Sequence, residues 1–350
     1  MFHPSSPASR PGRRRAGRRG VLVSLAVLLI IPLAACAKPE KPSRGGVPSS
    51  VTIGYQQSVM YVPLLVMKEK GWLKNQFPKT DMSFTQLASG AAIRDGMLSG
   101  DIDIGMIGVG AFNVGRVRGL DWKYMMSNAD LDASIMVKDP AITSFEKLAA
   151  RNPRISTIAP DSPQAFMVKL AAKRKLGDGT ALDERFATLD APSAVQALKA
   201  GQIDADTATS PSLYLEEAFG ARPVLKSSDV FPAGLLGVGP VARSRFKDRN
   251  QVFAKGFVRQ LARAVRWVED HPDEALKLVS DELFGPSANH DLLLRAVRDQ
   301  PWTVTPHGVG DYSKSSAELG LTEKSAPENQ SVYADLLKVA QDEYGKKGTS

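Results

Sequence analysis

The strongest constraint on the fold is a segment that occurs twice, 101 residues apart. Residues 96–103 read Gly-Met-Leu-Ser-Gly-Asp-Ile-Asp, and residues 196–204 read Gln-Ala-Leu-Lys-Ala-Gly-Gln-Ile-Asp, which aligns Gly100 with Gly201. Each copy predicts the end of a helix, a glycine that can adopt a positive φ, and a buried strand that opens with Ile-Asp. A helix end followed by a buried strand is the repeating step of an α/β fold.

A second repeat supports the first. The polar loop at Ser58 and the helix end at Gly71 match Ser162 and Gly177, so the offsets of the two repeats run from 101 to 106 residues. Chance similarity explains either match alone, but two matches at nearly the same offset favour two homologous α/β lobes.

The pattern after Val51 also indicates strands alternating with helices, because short β-branched runs alternate with amphipathic stretches. The predicted strands are 51–56, 82–88, 102–107, 122–127, 133–138, 154–159, 184–189, 203–208 and 235–241. The predicted helices are 61–75, 90–99, 109–118, 162–176, 193–200, 211–219, 249–283, 288–299 and 329–343. Pro272 predicts a break within the longest helix.

Charge argues against a polyanion partner. The chain carries a formal charge of +8, but six arginines precede the first apolar run and no acidic residue precedes Glu40. Without those arginines, 39 basic residues face 37 acidic ones. A balance near +2 gives no electrostatic footprint for nucleic acid.

The same arginines belong to a targeting segment. A basic stretch, an apolar run over 21–31 and Leu33-Ala34-Ala35-Cys36 predict a signal peptide over 1–35. The last four residues resemble the lipobox of bacterial lipoproteins, so we expect lipid on Cys36, a flexible tether over 36–50, and a protein anchored to the outer face of the cell membrane or held in the periplasm. Arg18-Arg19 leaves open whether export uses the Sec or the twin-arginine route.

Composition excludes several chemistries. Cys36 is the only cysteine, so the folded part has no disulfide and no thiol nucleophile. His271, His290 and His307 lie far apart in the sequence, which argues against a multi-histidine metal site. We therefore predict no metal and no cofactor. A Walker A motif is also absent, so any transport energy comes from another chain.

Three segments carry a family resemblance: Thr52-Ile53-Gly54-Tyr55-Gln56, then Pro63-Leu64-Leu65-Val66-Met67-Lys68-Glu69-Lys70-Gly71-Trp72-Leu73, then Ser99-Gly100-Asp101-Ile102-Asp103-Ile104-Gly105. In this order, over about residues 50–280, they resemble the nitrate, taurine and aliphatic-sulfonate group of ABC-transporter substrate-binding proteins, a group that includes carriers of thiamine pyrimidine precursors.

The resemblance implies a type II periplasmic-binding-protein fold, with two Rossmann-like lobes and a ligand cleft between them. Lobe I is then expected at 50–136 plus 240–325, lobe II at 137–239, and a C-terminal helix and tail at 326–350. It further implies a monomer that delivers a small solute to an ABC permease and its ATPase.

Ligands of open parallel sheets bind beyond the carboxyl ends of the strands, where loops lead into helix N-termini. Such N-termini and nearby glycines suit a sulfonate, nitrate or carboxylate. An ordinary solvated turn remains the alternative for the loop at 56–61, and a simple helix cap remains the alternative for the loop at 88–91. The candidate ligand-binding residues are Gln56, Gln57, Ser58 and Tyr61; Ser89 and Gly90; Gly108, Val109 and Gly110; Asp161, Ser162 and Gln164; and Thr207 and Thr209.

Further residues have two interpretations each. Arg94 either reaches an anionic ligand or lies on a solvated face, and Asp206 either has an internal partner or binds a cationic group of the ligand. Met60, Tyr61 and Phe112 are expected to cover an apolar ligand body.

Three functions stay open on these grounds. The first is a non-enzymatic receptor for a small anion, with an organosulfonate as the first choice. The second is an enzyme of thiamine or menaquinone precursor chemistry on the same fold, and the third is a lipoprotein sensor for a membrane kinase.

Overall fold

Two large mixed β-sheets covered by helices form the core of the computed structural model, which describes residues 42–160, 162–325 and 331–346. Lys38–Ser350 forms one compact unit by itself. The strands are β1 Ser43–Arg44, β2 Val47–Pro48, β3 Ser50–Tyr55, β4 Asp81–Gln86, β5 Ile104–Ile107, β6 Trp122–Tyr124, β7 Ala129–Asp130, β8 Ala133–Val137, β9 Ile155–Thr157, β10 Phe186–Thr188, β11 Ala205–Thr209, β12 Arg222–Lys226 and β13 Leu236–Arg243.

The α-helices lie mostly between successive strands. They are α1 Val62–Glu69, α2 Trp72–Gln76, α3 Gly90–Ser99, α4 Val109–Val117, α5 Phe145–Ala149, α6 Pro163–Leu176, α7 Ala191–Ala200, α8 Ser212–Glu217, α9 Ser227–Val230, α10 Ser244–Arg249, α11 Gln251–Asp270, α12 Pro272–Phe284, α13 His290–Asp299, α14 Val309–Glu318 and α15 Ala334–Tyr344. Short 3-10 turns occupy Val59–Tyr61 and Asp183–Arg185.

The two large sheets share one topology. The first has the order β4-β3-β5-β13-β6 and the second the order β10-β9-β11-β8-β12. In each, three parallel strands are followed by a strand antiparallel to them and then by an edge strand antiparallel to that one. Both β5 and β8 are buried along their whole length, as expected for strands covered on both faces. The predicted α/β class is confirmed.

The repeated glycines end equivalent helices. Gly100 follows α3 with φ 82°, and Gly201 follows α7 with φ 72°. Both φ values lie in the left-handed region, which glycine enters without steric penalty. The conformation predicted for the repeated segment is thus confirmed.

The chain changes sheet between β7 and β8, and again between β12 and β13. The expected lobe limits at 136/137 and 239/240 fall within β8 and β13 and stay a prediction. Each of these strands belongs to one large sheet along its length, so both crossings come earlier in the chain. Sequence periodicity locates a strand but does not reveal which sheet it joins.

The stretch predicted as a flexible tether over 36–50 is folded where it is described. Gly45 and Gly46 have φ of 58° and 76°, which closes a tight turn and pairs β1 with β2. The Phe253 amide donates to the Gly46 carbonyl at 3.0 Å, which fixes this hairpin to the start of α11. The signal peptide, Cys36 and the first tether residues lie outside the described residues.

Most predicted elements recur with shifted ends. The break at Pro272 is confirmed, since α11 ends at Asp270 and α12 begins at Pro272. The predicted helix 61–75 is divided by Gly71, which adopts φ 67°. The patterns missed four strands and four helices, which are β1, β2, β7, β12, α5, α9, α10 and α14. No helix within the described residues is both long and apolar enough to span a membrane.

Candidate ligand-binding cleft

A cleft of about 110 Å³ lies at the carboxyl ends of strands from both large sheets. The first sheet contributes loops after β3, β4 and β5, and the second contributes loops after β9, β10 and β11. The lining residues are Gln56, Gln57, Ser58, Met60, Tyr61, Ser89, Gly90, Ala91, Gly108, Ala111, Leu131, Ile158, Ala159, Ser162, Pro163, Gln164, Ala191, Thr209 and Gly237.

The loop after β3 is held by its own side chains. Gln56 Nε2 donates to the Tyr61 hydroxyl at 2.7 Å, and burial raises the pKa of Tyr61 well above its ordinary value. The phenol therefore stays neutral and its oxygen orients the Gln56 amide. Ser58 Oγ donates to the Ser210 carbonyl at 3.3 Å, a contact that joins this loop to the end of β11 across the cleft.

The N-terminus of α3 opens into the same space. Ser89 Oγ accepts from the Ala92 amide at 3.2 Å, and Gly90 and Ala91 line the cleft. A Cβ atom at Gly90 would lie 3.2 Å from Ala111 Cβ and 3.8 Å from Gln56 Nε2. Glycine at this position therefore keeps room beside the Gln56 amide.

Helix α4 meets helix α6 of the second lobe at their N-termini. A Cβ atom at Gly108 would lie 2.9 Å from the Gly237 carbonyl and 3.5 Å from Pro163 Cγ. No side chain caps α4, and the first amides of a helix have no intrahelical acceptor. Those amides and the positive end of the helix dipole suit an anion.

The N-terminus of α6 faces the cleft from the second lobe. Ser162 Oγ accepts from the Ala165 amide at 3.2 Å and lies 3.0 Å from Thr157 Oγ1, so Ser162 is both a lining residue and a helix cap. Gln164, in the first turn of α6, also lines the cleft. Ala191, the first residue of α7, adds a fourth helix N-terminus.

The structure brings most of the sequence-predicted residues together. Those that line the cleft are Gln56, Gln57, Ser58, Tyr61, Ser89, Gly90, Gly108, Ser162, Gln164 and Thr209. Val109 and Gly110 do not line it, because they are buried in the first turn of α4 behind Gly108. Thr207 does not either, since its hydroxyl donates to the Ser156 carbonyl at 2.8 Å within the sheet. Asp161 lies outside the described residues.

Two residues differ from their sequence-based interpretation. Phe112 was expected to cover the ligand, but it is buried in the core with its ring 4.3 Å from Tyr124 and 5.9 Å from Trp122. Arg94 fits neither of its two interpretations, because it is not a lining residue and it is buried rather than solvated, with Asp95 at 3.2 Å. Met60, by contrast, does line the cleft.

Asp206 has internal partners. It is buried in β11 and accepts a hydrogen bond from Ser156 Oγ. Burial raises the pKa of Asp206, and burial together with repulsion by Asp206 raises the pKa of Glu216 to about 10. The raised pKa values keep a proton on this pair of carboxyls at neutral pH. This arrangement favours the structural interpretation of Asp206 over binding of a cationic ligand group.

Sequence reasoning missed several lining residues that are small or apolar. Leu131 lies on the segment that crosses from β7 to β8, Gly237 is the second residue of β13, and Ile158 and Ala159 follow β9. No sequence pattern distinguishes such residues from core residues, since only the approach of the two lobes exposes them to a common space.

The described side chains that line the cleft carry no charge. Amides and hydroxyls supply the polar atoms of these side chains. No group of three His, Cys, Asp or Glu side chains in 42–160, 162–325 and 331–346 is arranged to hold a metal ion. The arrangement can bind and enclose a small solute through hydrogen bonds and helix dipoles.

Comparisons with known proteins identify related sequences and structures. The model of the NMT1-like family matches residues 45–280. A protein of Bacillus subtilis (strain 168) named "Putative aliphatic sulfonates-binding protein" is 25% identical over 272 residues, which cover 75% of this chain and 78% of that protein.

Two solved structures show the same fold. The periplasmic aliphatic sulphonate binding protein SsuA from Escherichia coli superposes with a TM-score of 0.69 at 18% identity, over 83% of this chain and 99% of that chain. The alkanesulfonate-binding protein SsuA from Xanthomonas axonopodis pv. citri, bound to MOPS, gives a TM-score of 0.68 at 20% identity, over 82% and 99%. The predicted periplasmic-binding-protein fold is confirmed.

Proposed function

Since the chain belongs to the NMT1-like family, we propose that it is the solute-binding component of an ABC importer. It binds one small solute between its two lobes and delivers it to a membrane permease that a separate ATPase drives. The observation that carries the proposal is the meeting of four helix N-termini, those of α3, α4, α6 and α7, at one cleft.

The solute is a small organic anion of the sulfonate class. Helix amides and dipoles attract a negative head group, and no carboxylate among the described lining residues repels it. Met60, Leu131 and Ile158 supply apolar surface for a short organic body. The names of the Bacillus subtilis, Escherichia coli and Xanthomonas relatives support this class of ligand.

The protein acts as a receptor rather than an enzyme. The hydroxyls at the cleft are engaged in contacts of their own, Ser58 with the Ser210 carbonyl and Ser162 with Thr157 and the Ala165 amide. No histidine is among the described lining residues, so neither serine has an imidazole base beside it there. We further propose export from the cytoplasm and a lipid anchor on Cys36.

Ligand binding can be tested on residues 38–350 by thermal shift and calorimetry. We expect alkanesulfonates or taurine to raise the melting temperature by several degrees at saturation with one solute per chain. Alcohols with the same carbon chains serve as neutral controls and should have no effect. If no anion stabilises the protein, or if the alcohols stabilise it equally, the proposal is wrong. Conversion of a bound solute to product would favour an enzyme instead of a receptor.

Two substitutions localise the site. Gln56→Ala and Gln164→Ala should each weaken solute binding about tenfold, because each removes a polar group that lines the cleft. Gln202→Ala, on an exposed residue, is the matched control and should bind as wild type. Ser162→Ala is a poorer choice, since loss of the α6 cap would itself destabilise the protein by about 1 kcal/mol.

A further inference from the structure

Lobe I carries an exposed set of cations that the cleft does not use, and we name it the basic face. Its members are Arg44 on the N-terminal hairpin and Lys255, Arg259 and Arg263 on α11. The spacing of four residues places the three α11 side chains in one stripe. No acidic residue occurs on α11 before Glu269, so the stripe has one sign along most of the helix.

These charges are not neutralised by the neighbouring helix. Helix α15 packs along α11, and all three of its acidic residues have lysine partners: Asp335 with Lys247, Asp342 with Lys338, and Glu343 with Lys346. Within the described residues, Lys255 and Arg259 have no ion pair. The chain beyond the arginine-rich segment is nearly neutral. The basic face therefore results from the uneven distribution of charged residues over the surface, and not from a high net positive charge.

Tryptophans border the basic face. Arg263 Cζ lies 4.0 Å from the centre of the Trp72 ring, and Trp72 packs edge-on against Trp267 at 6.3 Å. Both rings are half-buried, and Val252 at the start of α11 is 52% exposed. Tryptophan beside lysine and arginine is the combination that proteins place at the headgroup level of a bilayer.

The first described residues of the chain lie beside this face. The hairpin that contains Arg44 is held to α11 by the bond between the Phe253 amide and the Gly46 carbonyl. Five residues lie between Cys36 and Pro42, so the six steps from one Cα to the other span at most about 22 Å. A lipid on Cys36, which is part of the proposed function, therefore keeps the basic face close to the membrane.

We propose that the basic face binds the anionic headgroups of the membrane and holds lobe I against the bilayer. The hairpin enters β3 at Ser50, whereas the cleft begins beyond Tyr55 at the other end of that strand. Contact with lipid at the hairpin end therefore leaves the cleft accessible to solute. The receptor is concentrated at the surface where its permease lies.

Vesicle sedimentation of residues 38–350, without any lipid attached, tests the proposal. The chain should bind vesicles of equal parts phosphatidylglycerol and phosphatidylcholine, bind pure phosphatidylcholine vesicles far more weakly, and dissociate at high salt. Each cation removed should weaken binding about fivefold, so Lys255→Gln with Arg259→Gln should lower the partition coefficient about 25-fold. Lys173→Gln with Lys199→Gln, on exposed lysines of lobe II, removes the same charge and should bind as wild type.

Three results would overturn the proposal: equal binding to both kinds of vesicle, wild-type binding by the Lys255/Arg259 variant, or an equal loss in the lobe II control. Displacement by inorganic phosphate at constant ionic strength would do so too, because it would indicate a site for the free anion. Solute binding is measured on the same samples by thermal shift, so a failure here is distinguishable from a failure of the proposed receptor function.

Discussion

Replacing Glu216 with glutamine should stabilise the protein, and its advantage over wild type in the free energy of unfolding should grow as pH rises. The Glu216 side chain is fully buried, and its pKa is raised to about 10 from an ordinary value of 4.5, first by burial and then by Asp206. Below the ordinary value the group is protonated in both states, so its contribution to stability is fully present. Between that value and about pH 10 only the unfolded chain releases the proton, and stability falls by about 1.4 kcal/mol per pH unit.

At pH 7 the accumulated loss is about 3 kcal/mol. Glutamine has nearly the same shape and does not ionise, so Glu216→Gln removes the titration while retaining the packing. Urea unfolding of both proteins at pH 6, 7 and 8 should therefore show an advantage for the variant that grows by about 1.4 kcal/mol per pH unit.

Glu217→Gln on the same helix is the matched control. Glu217 is one-third exposed and pairs with Arg295 at 2.9 Å, so its substitution should lower stability by less than about 1 kcal/mol at every pH. The reasoning is refuted if the advantage of Glu216→Gln over wild type does not change with pH, or if that variant is less stable than wild type at pH 8.

Two further substitutions test the cleft and the core. Tyr61→Phe should weaken solute binding about tenfold in calorimetry, because the Gln56 amide loses the hydroxyl acceptor at 2.7 Å that orients it. An unchanged affinity would show that this contact does not position the amide. Gly115→Ala should lower the free energy of unfolding, measured in urea, by about 1–3 kcal/mol. The new Cβ would lie 2.0 Å from Trp122 Cζ2, and this clash exceeds the gain in helix propensity of about 1 kcal/mol. A variant more stable than wild type would refute this prediction.

Local chemistry explains which parts of the fold the sequence predicted. The glycines at 100 and 201 adopt positive φ because each ends a helix, and Pro272 begins a helix because it cannot continue one. The Gly45-Gly46 pair shows the limit of composition as a guide. It occurs in a stretch typical of a flexible spacer, yet it closes a hairpin, because two residues with positive φ also make the tight turn that pairs short strands.

The candidate site was predicted in part for the same reason. Polar residues at strand ends and helix starts were predicted in the cleft because the carboxyl ends of parallel strands meet at one edge of a sheet, and Ser58, Ser89 and Gly108 lie there. Phe112 was misplaced because α4 has two faces, and only its packing against Trp122 and Tyr124 identifies the buried one.

By itself the sequence determined the class of fold, the duplicated lobe and the loops from which a site can be built, because these follow from periodicity and from the φ preferences of single residues. Only the tertiary structure decided which of those loops share one space, that Leu131 and Gly237 join them, and that Asp206 faces Glu216. These are contacts between residues distant in the chain, and they depend on how the two sheets pack together, a geometry that no local pattern encodes.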